Sequence, residues 1–368
     1  MKKLKTDFER IILISDIHLG VRSASDEWIE NIVNYFDNFF IPKLKILSEE
    51  KKTAIIVAGD FFDNRKNIDI SVMNTGMDII EKISEIVDVY MIIGNHDIYK
   101  KKDTGINSLA VFKYFKRVHI IEELTMLEVK NGKKFLLVSW VGDPGEETNI
   151  LMKHKNDSDI AILHSDIAGF KYDNGRPIIK GVNSTIYDKG RIYSGHIHKH
   201  DVSGNVTYIG CPYHLKRSDL GNKKGFYILD FKEDGGYNET FVENTYSPQF
   251  LKVHFDDILE LTINEIKEFA ENNYVDIILP SKYKNFINLS KLMEVIESCN
   301  SRKVIFLIDK SDNELSDIAI ERRQDLTVEE VFNNYVQNMN ISKDMQDKLE
   351  KMNNDYLAQA AEYYSYEE

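Results

Sequence analysis

Short apolar runs alternate with longer stretches of mixed polarity through the first two thirds of the chain. The runs end at Gly, Asp, Asn or Ser and predict strands at Ile11–Ser15, Ala54–Ala58, Val89–Ile93, Phe135–Ser139, Ile160–Leu163, Arg191–Ser194, Val206–Ile209 and Phe226–Phe231. Between the first two, Asp26 to Glu50 carries Trp28, Ile32, Tyr35, Phe36 and Phe39 at helical spacing, so this stretch is expected to be helical with its aromatics in the core. Strands alternating with helices predict a layered α/β domain.

The pattern changes near Tyr246–Phe250. Gly becomes scarce, and helical Leu259–Asn272, strand Val275–Leu279, helical Leu289–Ser298 and strand Val304–Ile308 predict a small α+β accessory domain. A charged stretch from Asp309 to about Asp325 has the composition of a linker. Beyond it two helices are expected, Thr327–Asn338 and Ser342–Ala361. Thr327 and Ser342 are suited to cap them, and Glu330 would complete a capping box. Met345, Leu349, Met352, Tyr356, Leu357 and Ala360 would line one side of the last helix, a face for its own domain or for a partner. The expected domains are 1–247, 248–312 and 313–368.

With 368 residues, 42% hydrophobic and 29% charged, the chain has an ordinary globular balance and room for more than one domain. No apolar run approaches the roughly 20 residues of a membrane helix. The run after Lys2-Lys3 is too short for a signal peptide and leads directly into Asp16 and His18. Two cysteines make no disulfide framework, so a cytoplasmic protein is expected. A net charge of −13 offers nucleic acid no global attraction. Bound cations would reverse the local field, so acidity is a weak argument against such a substrate.

The chemistry sits where the apolar runs stop. Asp16-Ile17-His18, Gly59-Asp60 with Asp63, Gly94-Asn95-His96-Asp97, His164 and Gly195-His196-Ile197-His198 all fall at predicted strand ends or just beyond them. In open α/β sheets those loops form sites, because the strand fixes the backbone while side chains converge. Residues two apart in extended chain project to one side, so Asp16 with His18, and His196 with His198, can reach a common ion. Any one element has an ordinary explanation: a hydrogen-bonded histidine, a turn at Gly59-Asp60, or Asx turns at Asn95 and Asp97. Their ordered recurrence argues for one shared site. Carboxylate, imidazole and amide oxygen together suit Mn²⁺, Fe²⁺ or Zn²⁺, with Mn²⁺ the first choice, better than Mg²⁺ or Ca²⁺. Two such ions, roughly 3.5–4 Å apart across a bridging carboxylate, can activate water and hold a phosphate for in-line displacement.

The order D-x-H, G-D-x-x-D, G-N-H-D, H, G-H-x-H resembles the calcineurin-like metallophosphoesterase superfamily. Asp16-Ile17-His18-Leu19-Gly20-Val21, Asp26-Glu27-Trp28-Ile29, Gly59 through Lys66, and Tyr208-Ile209-Gly210 before Pro212 are similar to the SbcD- and Mre-type DNA repair nucleases, particularly the recombination endonuclease subunit of T-even-like phages. The likeness covers residues 10 to 230 and is faint beyond. It implies a two-sheet metallophosphoesterase sandwich flanked by helices, with a small α+β capping domain and C-terminal helices. It implies that Asp16, His18 and His198 hold one ion, that Asn95, His164 and His196 hold the other, and that Asp60 bridges them. His96 would protonate the leaving oxygen, a task suited to imidazole, with Asp97 orienting its ring. Asp63, where some relatives carry His, would support a neighbouring ligand or position substrate. Cys211, in place of a small hydroxyl residue, reads as a buried loop thiol. His119, His154, His200, His214 and His254 match no ligand position.

Arg22, Arg65, Lys66, Lys100, Lys101 and Lys102 follow the metal motifs and are candidates for gripping DNA phosphates, though exposed loops carry such charges without function. The resemblance further implies a homodimer and an SMC-like ATPase partner of the SbcC type, docked at residues 327–361. Three functions are compatible with this ligand set: a Mn²⁺-dependent DNA exonuclease and endonuclease subunit, a small-ester phosphatase or cyclic-nucleotide phosphodiesterase, and a non-catalytic scaffold. Retention of every ligand weighs against the scaffold, and the extra C-terminal third favours a macromolecular substrate over a small ester.

Overall fold

The computed structural model describes residues 1–100, 103–280, 294–296, 298–308, 343 and 348. Two mixed sheets stack on one another. The six-stranded sheet runs Tyr237–Glu243, Gly225–Phe231, Arg10–Ile14, Thr53–Ala58, Asp88–Ile92, Val118–Ile121, parallel from Arg10–Ile14 to Val118–Ile121. The seven-stranded sheet runs Lys2–Lys5, Thr125–Glu128, Lys134–Leu137, Ile160–His164, Arg191–Gly195, Val206–Tyr208, Asp201–Ser203, parallel from Lys134–Leu137 to Val206–Tyr208.

Alternation along the strands produces the layers. Ile11, Leu13, Ala54 and Ile56 of the first sheet meet Phe135, Leu137, Ile160 and Ile162 of the second. The intervening Ile12, Ile14, Ile55 and Val57 turn outward onto Ile32, Tyr35, Phe36, Ile79 and Ile83. On the far side Leu136, Ala161, Leu163 and Ile192 pack against Leu151 and Tyr187. Strands buried on both faces read as unbroken apolar runs, which is why all eight predicted strands are found within two residues of their expected bounds. The predicted sandwich flanked by helices is the observed one.

Edge strands and surface helices lack that signal. Lys2–Lys5 and Tyr237–Glu243 are largely exposed, as edge strands tend to be. The helices Ile70–Ser84 and Pro144–His154, each with one buried side, also add to the predicted elements. The expected helix after Asp26 is interrupted. Asp26–Tyr35 and Ile41–Glu50 are joined through a π turn at Phe36–Phe40, where the Ile41 N–H bonds the Phe36 carbonyl just before Pro42, which has no N–H to continue the ladder. Ile32, Tyr35 and Phe36 enter the core as expected. Trp28 is buried as expected, in a smaller cluster where it stacks on Tyr274 and Phe250 with ring centroids 5.8 and 6.2 Å away, while Phe39 is only partly buried.

After residue 248, Phe250–His254, Tyr274–Leu279 and Lys303–Ile308 form a three-stranded sheet. The predicted helix Leu259–Asn272 is two helices, Phe255–Leu259 and Ile263–Ala270, because Thr262 caps the second in a reciprocal box with Glu265. The chain divides into two compact units, Met1–Ile278 with Ile287–Phe306, and Leu279–Phe286 with Leu307–Glu368. The C-terminal helices expected from Thr327 onward lie outside the described residues, apart from helical Lys343 and Lys348. Among the described residues no helix is long and apolar enough to cross a membrane.

Candidate metal centre

The parallel strands of both sheets deliver their C-terminal ends to one place. Arg10–Ile14, Thr53–Ala58 and Asp88–Ile92 lead to Asp16 and His18, to Asp60, and to Asn95; Ile160–His164 ends on His164, and Arg191–Gly195 leads to His196 and His198. The turns are tight. Asp16, His18, Asp60 and His196 have φ of 52°, 47°, 53° and 85°, a left-handed backbone that few non-glycine residues adopt. Cross-links hold it: the Asp16 N–H donates to the Gly59 carbonyl (3.1 Å), the His18 N–H to the Asp60 carbonyl (3.1 Å), and the His196 N–H to Asp16 Oδ1 (2.9 Å). A Cβ at Gly94 would overlap the Asp60 carboxylate. One at Gly195 would overlap Ser15 Oγ and the Ala58 carbonyl, so that glycine permits close approach of the other sheet's backbone.

Three groups of converging donors result among the described residues, two of them matching the expected ligand sets and the third joining His18 to Asp63 and His96. Asp16, His18 and His198 place donor atoms within 4.8 Å of one another, as do Asp60, His164 and His196. Asn95 joins the second, its Oδ1 lying 3.0 Å from His164 Nε2 and 2.9 Å from His196 Nδ1. Asp60 Oδ2 stands between the groups, 3.1 Å from His164 Nε2 and 3.7 Å from His18 Nε2. This is where a carboxylate shared by two ions would be. Asp16 Oδ2 and His18 Nε2 are buried with no hydrogen-bond partner, the expected condition of ligand atoms described without their ion. The residues therefore fit a pair of divalent cations.

The electrostatics agree. Burial by itself disfavours charge on Asp60, yet His164, then His18 and His96, more than offset this and hold its carboxyl below the ordinary range. Burial likewise opposes charge on His164, but Asp60 and Asp16 prevail and push it up to about 10. Cations bound among these groups would compete with protons for the same ring nitrogens. The His164 ring is already oriented: Nδ1 is 2.8 Å from the Ala58 carbonyl, so the hydrogen belongs there and Nε2 is left for metal.

Asp97 differs from expectation. It does not touch the His96 ring. It is fully buried, and its two oxygens accept four backbone N–H bonds, from Asp60 (2.9 Å), Phe61 (3.1 Å), Phe62 (3.4 Å) and Gly94 (2.9 Å). It staples the Asp60 loop to the Asn95 loop. Burial, then the charge of Asp60, raise its carboxyl to about 7, against the pull of those donors. The His96 ring is held by the Asp63 carbonyl, 2.5 Å from Nδ1, and the Asp63 carboxylate lies 3.2 Å from His18 Nδ1. Asp63 thus touches two site histidines.

Of the basic candidates, Arg22 is engaged within the fold, donating to the Leu215 carbonyl and lying over Trp28 at 4.3 Å. Arg65 is half-buried, and Lys66 and Lys100 are exposed. Lys101 and Lys102 lie outside the described residues. Cys211 is a buried free thiol in a loop. His200 bonds the Tyr227 hydroxyl and stacks on Phe241, His214 accepts from the Phe250 N–H, and His119 pairs with Asp88. Several neighbours carried no sequence signal. Half-buried Trp140 packs against His196 with ring centroids 5.2 Å apart, and buried Lys224, paired with Asp219, donates from Nζ to the His198 carbonyl (2.7 Å). A cleft of about 400 Å³ borders His196 and His198, with Tyr172, Asn174 and Lys216 on its wall.

This sandwich and these paired groups define a metal-dependent phosphoesterase. The chain belongs to the calcineurin-like phosphoesterase family, which matches residues 9–200, over half its length. It is 25% identical over 311 residues to Exonuclease subunit 1 of Enterobacteria phage T4, covering 80% of this chain and 88% of that protein. The SbcD component of nuclease SbcCD from Staphylococcus epidermidis is 24% identical over 377 residues, covering 93% and 97%. DNA double-strand break repair protein Mre11 of Nanoarchaeum equitans is 22% identical over 355 residues, covering 89% and 91%.

Proposed function

We propose that this protein is a Mn²⁺-dependent DNA nuclease, the exonuclease and endonuclease subunit of a cytoplasmic SbcCD-like recombination and repair complex. The observation that carries the reading is the position of Asp60 Oδ2 between two imidazole-bearing groups. It is supported by relatives that span most of the chain and are named as an exonuclease, a nuclease and a DNA break repair protein. Asp16, His18 and His198 would hold one ion, and Asn95, His164 and His196 the other. Bound there, the pair supplies an activated water and neutralises the phosphate. His96 gives the leaving oxygen its proton, and Asp63 fixes the ring that does so. The cleft beside His196 and His198, about 400 Å³, carries Lys216 and Tyr172 on its wall, a cation and an aromatic ring suited to a phosphate and a base.

Purified protein incubated with Mn²⁺, linear DNA and a chromogenic phosphomonoester is expected to degrade the DNA and leave the monoester. Rapid monoester turnover with intact DNA would replace this reading with that of a small-ester phosphatase.

We further propose a homodimer and an SbcC-type ATPase partner that docks on residues 327–361. A chain lacking that segment is expected to lose the ATPase in a pull-down; undiminished capture would place the docking surface elsewhere.

A further inference from the structure

Asp166 and Asp173 lie on the segment leaving His164, and each faces one histidine of Gly195-His196-Ile197-His198. Asp166 Oδ1 is 3.3 Å from His196 Nε2, and Asp173 Oδ2 is 3.6 Å from His198 Nδ1. Both acids are anchored independently of those rings. The Tyr172 hydroxyl donates to Asp166 Oδ2 at 3.1 Å, and Lys216 Nζ to Asp173 Oδ2 at 2.7 Å. Their side chains are only 23% and 20% exposed. Asp166 Oδ1, Asp173 Oδ1 and His198 Nδ1 are buried atoms with no hydrogen-bond partner at the present separations.

A carboxylate beside one imidazole nitrogen draws the ring hydrogen there and leaves the other nitrogen to a metal, fixing tautomer and orientation together. At His196 the hydrogen belongs on Nε2. The free atom is then Nδ1, the one already 2.9 Å from Asn95 Oδ1. At His198 the hydrogen belongs on Nδ1, which leaves Nε2. Two histidines only two positions apart thereby present opposite nitrogens, and they fall in different ligand groups.

We infer that Asp166 and Asp173 are positioning residues, each dedicated to one ion: Asp166, through His196, to the ion held with Asn95 and His164, and Asp173, through His198, to the ion held with Asp16 and His18. This rests on the ligand assignment above and is independent of whether the substrate is DNA.

Mn²⁺ binding to the full chain, followed by calorimetry and electron paramagnetic resonance, tests it. Asp166→Ala is expected to weaken one of two Mn²⁺ binding events by about 10–100-fold and leave the other unchanged. Asp173→Ala should weaken the other. Asp166→Asn, which keeps an acceptor oxygen, should lose less. Added to Asn95→Ala, Asp166→Ala should leave the surviving site untouched, whereas added to His18→Ala it should weaken the surviving site. The metal-free melting temperature should stay at the wild-type value throughout. Wild-type affinities in both alanine variants, or equal weakening of both events with a lowered metal-free melting temperature, would overturn the inference alone. A wild-type chain that binds no pair of ions would overturn the ligand assignment with it.

Discussion

Replacing His96 with alanine is expected to lower DNA cleavage by about 10²–10⁴-fold, the usual worth of a positioned general acid, while both Mn²⁺ ions still bind. The separation of the two effects follows from how His96 is held. Its backbone N–H donates to Asp60 Oδ1 at 2.9 Å, and alanine keeps that bond, so the bridging carboxylate stays oriented. Its ring Nδ1 is committed to the Asp63 carbonyl, which leaves Nε2 to carry the proton for the leaving oxygen. Its ring meets His18 edge to face at 5.0 Å, and removing it opens space beside that ligand without removing a ligand. Cleavage rates and Mn²⁺ stoichiometry measured on one preparation check this. Wild-type cleavage in His96→Ala would remove the proton-donor role, and loss of an ion would make His96 a ligand instead.

The second large effect is on folding. Asp97→Ala should destabilise the metal-free protein by about 3–6 kcal/mol, since each buried N–H left without a partner costs about 1–3 kcal/mol and water entering the hole recovers part of the total. Four N–H groups from two loops depend on this one side chain. With them the spacing between Asp60 and Asn95 is lost, so Mn²⁺ affinity should fall in parallel. Asp97→Asn keeps one acceptor oxygen but turns an NH₂ toward backbone donors, and should lie between wild type and alanine. Denaturant unfolding of the three proteins without metal decides the matter. If Asp97→Ala unfolds at the wild-type midpoint yet cleaves poorly, the residue acts in the chemistry and not in the frame.

What was legible in the sequence was whatever repeats at short range. Ile11 to Ile14 and Ala54 to Ala58 announce themselves because both faces of each strand are covered, and the ligand types stand out because each follows such a run directly. The seven proposed ligands converge for that reason. The role of Asp97 was not legible: a buried aspartate beside a histidine looks alike in sequence whether it faces the imidazole or the amides of a loop more than thirty positions away. Asp166, Asp173 and Trp140 belong to no motif, because neighbouring parallel strands of one sheet bring them to the histidines from far along the chain, and Lys224 arrives from the other sheet. Edge strands such as Tyr237–Glu243 were silent for the opposite reason, being exposed and polar where interior strands are not.

Asp, Asn and His are the side chains other than glycine that most often tolerate a left-handed backbone. They are also the donors a borderline divalent metal selects. At positions 16, 18, 60 and 196 both demands fall on the same residue, so the chain bends sharply and presents its donor in a single step. The substitutions open to these positions are narrowed twice over, once by coordination chemistry and once by sterics. Glycine would keep the bend and lose the donor, while glutamate would keep a carboxylate and strain the bend. A drifting sequence thus has few exits from this vocabulary at these four positions.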